Sequence, residues 1–310
     1  MSRAAEKILV IKLGAFGDVV QADGALRDIR AFHPGAEIVL LTTPPFRKLM
    51  DRCPHVDRVL TDSRAPRWKI GAWIRLASML RNERFTRAYD LQRQGRTELY
   101  HKLFLRNVAW SGKQKDEQPK SGLDGLAFQL KNAGVPTHHC LKPDVSWMAD
   151  DMADFLHKEG VRKPYVALIP GCSARHPHKR WPYYGELAGA LIERGYDVVT
   201  APGPDEIELA KRIPGHTLLG PNGYLDWFEL AGVLKDACYI VGNDTGPSHV
   251  ASCLGKPGLA LFGPHTSASR TGIRRGEFDA IEVADLAGLS AKTVLDAITP
   301  RLPAVQENSV

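Results

Sequence analysis

The chain has 310 residues, 44% of them hydrophobic and 25% charged, with a formal net charge of +6. That length suits two domains of about 150 residues each, and the composition is that of a soluble globular protein. No apolar run approaches the roughly 20 residues that span a bilayer, and the run 8–11 stops at Lys12, too short for the core of a secretory signal, so a cytoplasmic location is expected.

In chain order, the first half alternates strand-like and helix-like segments. The mostly apolar run 8–13 (ILVIKL) leads into a helix-compatible stretch at 18–32 closed by His33-Pro34-Gly35. A strand at 37–42 (EIVLLT), a Pro-initiated helix near 45–52, a strand at 58–61, an amphipathic stretch near 66–83 and a strand at 87–92 follow. Within the amphipathic stretch, Ile70, Trp73, Ile74, Ala77 and Leu80 share one helical face, which normally means core. Two tryptophans among Arg64, Arg67, Lys69, Arg75 and Arg81 also fit an interfacial helix against anionic lipid. Between Arg64 and Lys120, 14 Lys and Arg stand against 5 Asp and Glu, a balance of +9 that leaves the remainder at −3. A local excess of that size suits an anionic partner: phosphorylated lipid, acidic glycan or nucleic acid.

The second half repeats the alternation. A strand at 165–169 (YVALI), a helix at 181–194, a strand at 197–200, helices at 205–212 and 227–235, a strand at 239–242, a helix near 247–254 and an apolar run at 259–262 succeed one another. Strands alternating with helices predict parallel sheets covered on both faces, and two such series predict two Rossmann-like domains, 1–150 and 160–310. The Pro- and His-rich segment 135–143 and a helix at 150–159 lie between them, with the boundary expected near 145–162. The five cysteines, Cys53, Cys140, Cys172, Cys238 and Cys253, form no Cys-x-x-Cys pair and are odd in number, so neither a zinc site nor a disulfide framework is expected.

Three glycine turns carry candidate chemistry. In KLGAFGDVVQADGAL, Gly14 and Gly17 give GxxG and not GxGxxG, and no acidic residue ends the second strand, so NAD is weakly supported. Asp18 stands at the mouth of the first strand, where ligands of open sheets sit; an N-cap role is equally open to it. IPGCSARHPHKRWP offers Ser173 and Lys179 as a phosphate grip without being a Walker A loop, and its His176 and His178 read as loop residues rather than metal ligands. In TAPGPDEIELAKRI, Glu206 could reach ribose hydroxyls or simply charge a first helical turn. VGNDTGPSHVAS begins a helix after a strand, a natural anion site. Its Asp244 is either a cap or a carboxylate for the hydroxyls of a ligand whose phosphates take the N–H groups.

Together, GDVV with Asp18, PGCSARHPHKRWP with Lys179, APGPDEIELA with Glu206 and GNDTGPSHVASCLGKPGLALFGP resemble the family 9 glycosyltransferases, typified by ADP-heptose:lipopolysaccharide heptosyltransferases. The resemblance runs in order along nearly the whole chain. It implies a GT-B fold, two Rossmann-like domains facing across a cleft, with the acceptor on the N-terminal domain and the nucleotide sugar on the C-terminal one. It implies Asp18 as general base, Lys179 and Ser173 on the diphosphate, Glu206 on ribose and Leu225 against adenine. Asp244 would bond sugar hydroxyls, the N–H groups of Thr245 and Gly246 phosphate, with His249 one turn further on. No metal or other cofactor is needed if Lys179 and a helix start neutralise the leaving diphosphate.

On the acceptor side the chain departs from the family pattern: Gln21-Ala22-Asp23-Gly24 follows GDVV, and AYDLQRQGRTE adds Arg93, Gln94 and Arg96. Arg64, Arg67, Arg93 and Arg96 are the expected acceptor contacts. The reading that results is inverting transfer of a heptose, or a similar sugar, from an ADP-sugar to an anionic glycolipid, with peripheral contact at the inner membrane and no nucleic-acid partner. The alternatives are a protein or soluble glycan acceptor, a uridine donor, a GT-B-fold sugar-nucleotide epimerase or hydrolase, an NAD oxidoreductase, and a non-catalytic nucleotide-sugar binder.

Overall fold

The computed structural model describes residues 6–114, 121–173 and 176–305; Lys115 and Lys120 of the basic stretch, and Ala174 and Arg175 of the second glycine turn, fall outside them. The chain divides into two compact units, Met1–Trp147 and Met148–Val310.

The first unit runs β1 (Lys7–Ile11), α1 (Phe16–Gln21), α2 (Asp23–Phe32), β2 (Glu37–Thr42), α3 (Arg47–Asp51), β3 (Arg58–Thr61), α4 (Ile70–Asn82), β4 (Arg87–Asp90), α5 (Gly95–Phe104), β5 (Ala109–Ser111) and α6 (Gly122–Asn132). Its strands pair in parallel in the order β3-β2-β1-β4-β5, with Leu9 of β1 opposite Val39 on one side and Ala88 on the other. Ile8 to Ile11 are wholly buried. A strand covered on both faces has no polar side to alternate, which is why it reads as an unbroken apolar run.

The second unit runs α7 (Ala153–Lys158), β6 (Tyr165–Ile169), α8 (Tyr184–Ile192), β7 (Asp197–Thr200), α9 (Ile207–Ala210), β8 (His216–Thr217), α10 (Trp227–Asp236), β9 (Tyr239–Asn243), α11 (Gly246–Cys253), β10 (Gly258–Phe262), α12 (Ala268–Thr271), β11 (Phe278–Glu282) and α13 (Ala291–Ile298). Its parallel sheet has the order β11-β10-β9-β6-β7-β8. Counted from β6, that is the 3-2-1-4-5-6 order of a doubly wound nucleotide-binding sheet. Trp181, Tyr184, Leu187 and Leu191 pack with Val198, Tyr239 and Val294 in its core.

Three expectations change. The stretch 18–32 is two helices broken at Ala22, and the break turns Asp23 inward, where it accepts from Trp147 Nε1 at 2.9 Å and from the Asp144 N–H at 3.1 Å. The segment 135–143 is no free linker. Asp28 accepts the N–H groups of His138, His139 and Cys140 at 2.8–3.2 Å, fastening the segment onto α2. Finally, the face of α4 that the spacing assigns to the core is only partly buried. Trp73 is half-buried against Tyr100 and Phe104 of α5, and Leu76, Ala77 and Leu80 are buried, but Ile70 and Ile74 are exposed.

Where α2 meets the fastened segment, a Cβ added at Gly24 would lie 2.2 Å from the main-chain carbonyl oxygen of His139. Backbone cannot rotate out of the way, so Gly24→Ala is expected to cost at least the roughly 1–3 kcal/mol typical of overpacking. Chemical denaturation of the variant and the parent measures the difference.

Candidate functional site

In an open parallel sheet, the loops that leave the two strands flanking the reversal of strand order run to opposite faces and open a crevice at the carboxyl edge. In the second unit those strands are β6 and β9, followed by Pro170-Gly171-Cys172-Ser173 and by Asp244-Thr245-Gly246. Asn243, the wholly buried last residue of β9, ties the two loops together. Its Nδ2 donates to the carbonyls of Pro170 at 2.9 Å and Gly171 at 3.2 Å, and its Oδ1 accepts from the Trp181 N–H and the Tyr184 hydroxyl, both at 3.1 Å.

Asp244 is 5% exposed. Lys179 Nζ donates to its Oδ2 at 2.7 Å, His265 Nε2 lies 3.1 Å from the same oxygen, and His249 Nε2 lies 3.5 Å from Oδ1. Burial alone would raise its pKa, but hydrogen bonds from His249 and Lys179, with the lysine charge, outweigh burial and hold the carboxyl well below the ordinary carboxylate range. A carboxylate only accepts, so both imidazoles meet it through Nε2–H. Burial lowers the pKa of His265 more than the Asp244 hydrogen bond raises it. Lys179 also donates to the Asp244 main-chain carbonyl at 3.3 Å. Of its three ammonium protons, these bonds to described residues use two.

The other donor-side residues take distinct places. Thr245 precedes α11, its Oγ1 donating to the Asn243 carbonyl at 3.5 Å, and Gly246 and Pro247 open the helix, whose start presents main-chain N–H groups and the positive end of its dipole. Glu206 Oε2 accepts the Gly203 N–H at 3.2 Å, and its carboxylate lies so close over Gly171 that a Cβ there would be 2.0 Å away. A side chain at 171 would displace the Glu206 carboxylate from this position. Ser173 is exposed, its carbonyl accepting the His176 N–H at 2.8 Å. Leu225 is buried just ahead of α10, where Asp226 caps the N–H groups of Phe228 and Glu229.

In the first unit the reversal lies between β1 and β4, and again the two loops are tied. The Leu13 N–H donates to Gln92 Oε1 at 2.8 Å, and the buried Lys12 Nζ donates to the Leu91 carbonyl at 3.3 Å. Asp18 is exposed on the first turn of α1, and its Oδ2 accepts the Ala15 N–H at 3.1 Å. Asp18 is therefore not the N-cap, which is Ala15, but the third residue of α1; its carboxylate reaches back to the cap N–H and is otherwise presented to solvent at the carboxyl edge. Burial pushes Lys12 down, opposed by the nearby charge of Asp18.

Asp90, wholly buried, accepts from the Thr97 hydroxyl at 2.6 Å and from the N–H groups of Gln92 and Arg93, yet burial raises its pKa to about 6. A raised carboxyl favours folding while protonated, so its contribution is complete below about pH 4 and is lost as pH rises through 6. The change is expected to reach roughly 3 kcal/mol. Chemical denaturation of the parent and of Asp90→Asn between pH 4 and 7 measures it, because only the parent carries this slope.

Of the acceptor-side arginines, Arg64 and Arg67 are exposed and Arg93 is half-buried beside Asp90; Arg64 and Arg93 have φ of 54° and 56°, left-handed backbone uncommon for a side chain of this size. Arg96 points inward. It bonds Asp62, the Ala65 carbonyl at 2.9 Å and the Tyr100 hydroxyl, and its guanidinium lies 4.8 Å over the Trp73 ring, so it braces the loop that carries Arg64. Sequence reasoning missed Lys12, Asn243 and His265. The first two are signalled by position, polar residues at the ends of apolar strands; His265 follows β10 in FGPH and becomes visible only when β10 is placed beside β9.

The family model described as glycosyltransferase family 9 (heptosyltransferase) matches residues 124–278, a span that holds every donor-side residue above and excludes Asp18. The chain is 26% identical over 217 residues to lipopolysaccharide heptosyltransferase 2 of Escherichia coli (strain K12), an alignment spanning 62% of this chain and 62% of that relative. Among solved structures, the E. coli ADP-heptose LPS heptosyltransferase II is 23% identical with a TM-score of 0.71, covering 95% of this chain and 98% of that one. An E. coli heptosyltransferase bound to ADP-2-deoxy-2-fluoro heptose is 19% identical with a TM-score of 0.71, covering 95% and 99%. Both likenesses place the two parallel sheets in the GT-B class of fold. The family match over half the chain, with the strand-end motifs it contains, shows that this protein belongs to glycosyltransferase family 9.

Proposed function

We propose that the protein is an inverting glycosyltransferase that moves a heptose from ADP-heptose to a hydroxyl of an acidic glycolipid of the lipopolysaccharide inner-core class, at the inner face of the cytoplasmic membrane. The observation that carries this reading is the ion pair between buried Asp244 and half-buried Lys179 at the end of β9, beside the start of α11. It joins a carboxylate suited to sugar hydroxyls to a cation and a helix dipole suited to a diphosphate. The names of the relatives above, which act on or bind ADP-heptose, support the donor.

In this reading Asp18 takes the proton of the acceptor hydroxyl as that oxygen attacks the anomeric carbon. The bond from that carbon to the diphosphate oxygen breaks, and ADP leaves with its growing charge met by the ammonium of Lys179 and by the N–H groups of Thr245 and Gly246. Asp244, kept ionised by Lys179, His249 and His265, holds sugar hydroxyls and favours the positive charge of an oxocarbenium-like transition state. Glu206 bonds ribose, Ser173 a phosphate oxygen, and Leu225 lies against adenine. Arg64, Arg67 and Arg93 meet acceptor phosphates or carboxylates, while Arg96 braces their loop. No metal takes part in these steps.

Incubation with ADP-heptose and a Kdo-bearing lipid acceptor is expected to release ADP only when the acceptor is present and to extend the lipid by one heptose with inverted anomeric configuration. Free heptose or an epimer formed without acceptor would replace this reading with a hydrolase or epimerase. Transfer confined to a protein or a soluble glycan would keep the enzyme and overturn the acceptor.

A further inference from the structure

The first two turns of α4 and the residues before it form an outward platform in the first unit. Trp68, Ile70 and Ile74 are 80%, 68% and 63% exposed. Ile70 and Ile74 are one helical turn apart and share a face. Exposed large apolar side chains are normally scattered; here three fall within seven residues. From Ser63 to Asn82 the sequence holds Arg64, Arg67, Lys69, Arg75 and Arg81 and no Asp or Glu. The first four of these cations are exposed.

The platform is held from within. Asp62, buried, accepts the Arg64 N–H at 2.8 Å and the Tyr100 hydroxyl; Arg96 bonds the Ala65 carbonyl; the Trp73 indole N–H donates to the Pro66 carbonyl at 3.3 Å; and the Lys69 N–H donates to the same carbonyl at 3.0 Å. Trp73 is clamped between Arg96 and the rings of Tyr100 and Phe104. Inward-pointing groups thus fix the loop, and the apolar residues it presents outward are presented in a set geometry. A protein partner with a matching apolar patch would need acidic residues to answer four cations. A bilayer with anionic headgroups supplies both a negative surface and an apolar interior.

We propose that Trp68, Ile70 and Ile74 enter the interfacial region of an anionic lipid bilayer while Arg64, Arg67, Lys69 and Arg75 pair with its headgroups. This deepens the function proposed above, resting on its glycolipid acceptor, because it names the face by which the chain reaches a lipid-borne substrate. No helix among the described residues is long and apolar enough to cross a membrane, so the attachment is to the surface and reversible. Binding gains from each cation near an anionic surface, about fivefold per residue, and fades as salt shortens the Debye length from about 10 Å at 0.1 M to about 3 Å at 1 M.

The test is flotation of the full chain with phosphatidylcholine vesicles and with vesicles of phosphatidylcholine and phosphatidylglycerol, for the parent and for the double variant Ile70→Glu, Ile74→Glu. Both side chains are exposed, Glu is a good helix former, and Glu at position 70 lies in the first turn, where it suits the helix dipole, so the variant is expected to melt with the parent. The parent should float with anionic vesicles and not with neutral ones, releasing at high salt, and the variant should bind at least tenfold more weakly. Absence of parent binding, or equal binding of parent and variant, overturns the proposal. So does self-association of the parent that the variant abolishes in light scattering, which would assign the face to a second copy of the chain.

Transfer assays separate the two readings. On an acceptor glycan stripped of its acyl chains the variant should turn over like the parent, and on vesicle-borne acceptor it should be slower. Docking without any heptose transfer would overturn the proposed function and leave the docking face standing.

Discussion

Asp18→Asn is expected to lower heptose transfer by roughly 10²–10⁴-fold, the usual worth of a positioned general base, with little change in melting temperature or in ADP affinity. The separation follows from geometry. The carboxylate of Asp18 spends one oxygen on the Ala15 N–H at 3.1 Å, and the Asn amide oxygen can accept the same bond, so that bond survives while the proton acceptor is lost. Asp18→Ala removes both, and should add a stability loss of roughly 0.3–1.5 kcal/mol, the worth of one helix-end interaction. Turnover that survives Asp18→Asn would leave Asp18 with its helix-end bond alone. Single-turnover rates with saturating donor, set beside calorimetric binding of ADP, measure the two effects separately.

The second large effect is expected at Lys179. Lys179→Ala should weaken ADP binding by about 10- to 100-fold, the range of a hydrogen bond to a charged group, and should weaken transfer further because charge accumulates on the leaving diphosphate. It also leaves Asp244 buried with His249 and His265 as its remaining side-chain partners among the described residues. Removing one member of a buried ion pair costs up to about 3–5 kcal/mol, and the two imidazole donors that remain should keep the loss below that.

The pH dependence has a definite sign. In the parent the Asp244 carboxyl is held down, so its stabilisation is present above the ordinary carboxylate pKa and is lost only as pH falls well below it. Without Lys179 that loss moves to higher pH. The lysine charge also lowers His265, so His265 should titrate higher in the variant, which proton NMR of the imidazoles can follow. Calorimetry with ADP, UDP and GDP tests the base at the same time: a preference for ADP that disappears in Lys179→Ala supports both the donor and the place of its diphosphate. A preference for UDP would retain the transferase and change the donor.

Asn243 and His265 show where a local reading of motifs stops. From VGNDTG alone, Asn243 is the residue just past a strand at 239–242; in the fold it ends β9 and its amide bridges the loops after β6 and β9, some seventy residues apart in sequence. His265 comes from the loop after β10, and its bond to Asp244 exists because β10 pairs with β9. Neither contact leaves a periodicity or a spacing to detect. The helices α6 and α13 did carry local signals that spacing alone passed over, a Ser121–Asp124 capping box and a Ser290 cap on the Thr293 N–H.

What the sequence by itself determined is the layered α/β architecture and the strand ends that matter. Strands buried on both faces are apolar along their middles, so β1, β2, β6 and β10 announce themselves, and the glycine turns after β1 and β6 mark where the chain leaves the sheet. What only the tertiary structure decided is which side chains those ends bring together and which faces stay uncovered. Lys179 and Asp244 are sixty-five residues apart and meet because β6 and β9 are neighbours. Ile70 and Ile74 satisfy the same helical spacing as Leu80 yet face solvent, because Tyr100 and Phe104 of α5 meet α4 at Trp73 and do not reach over Ile70 and Ile74 on the adjoining side of the helix. Periodicity tells which residues share a face; burial depends on what a distant part of the chain lays against it.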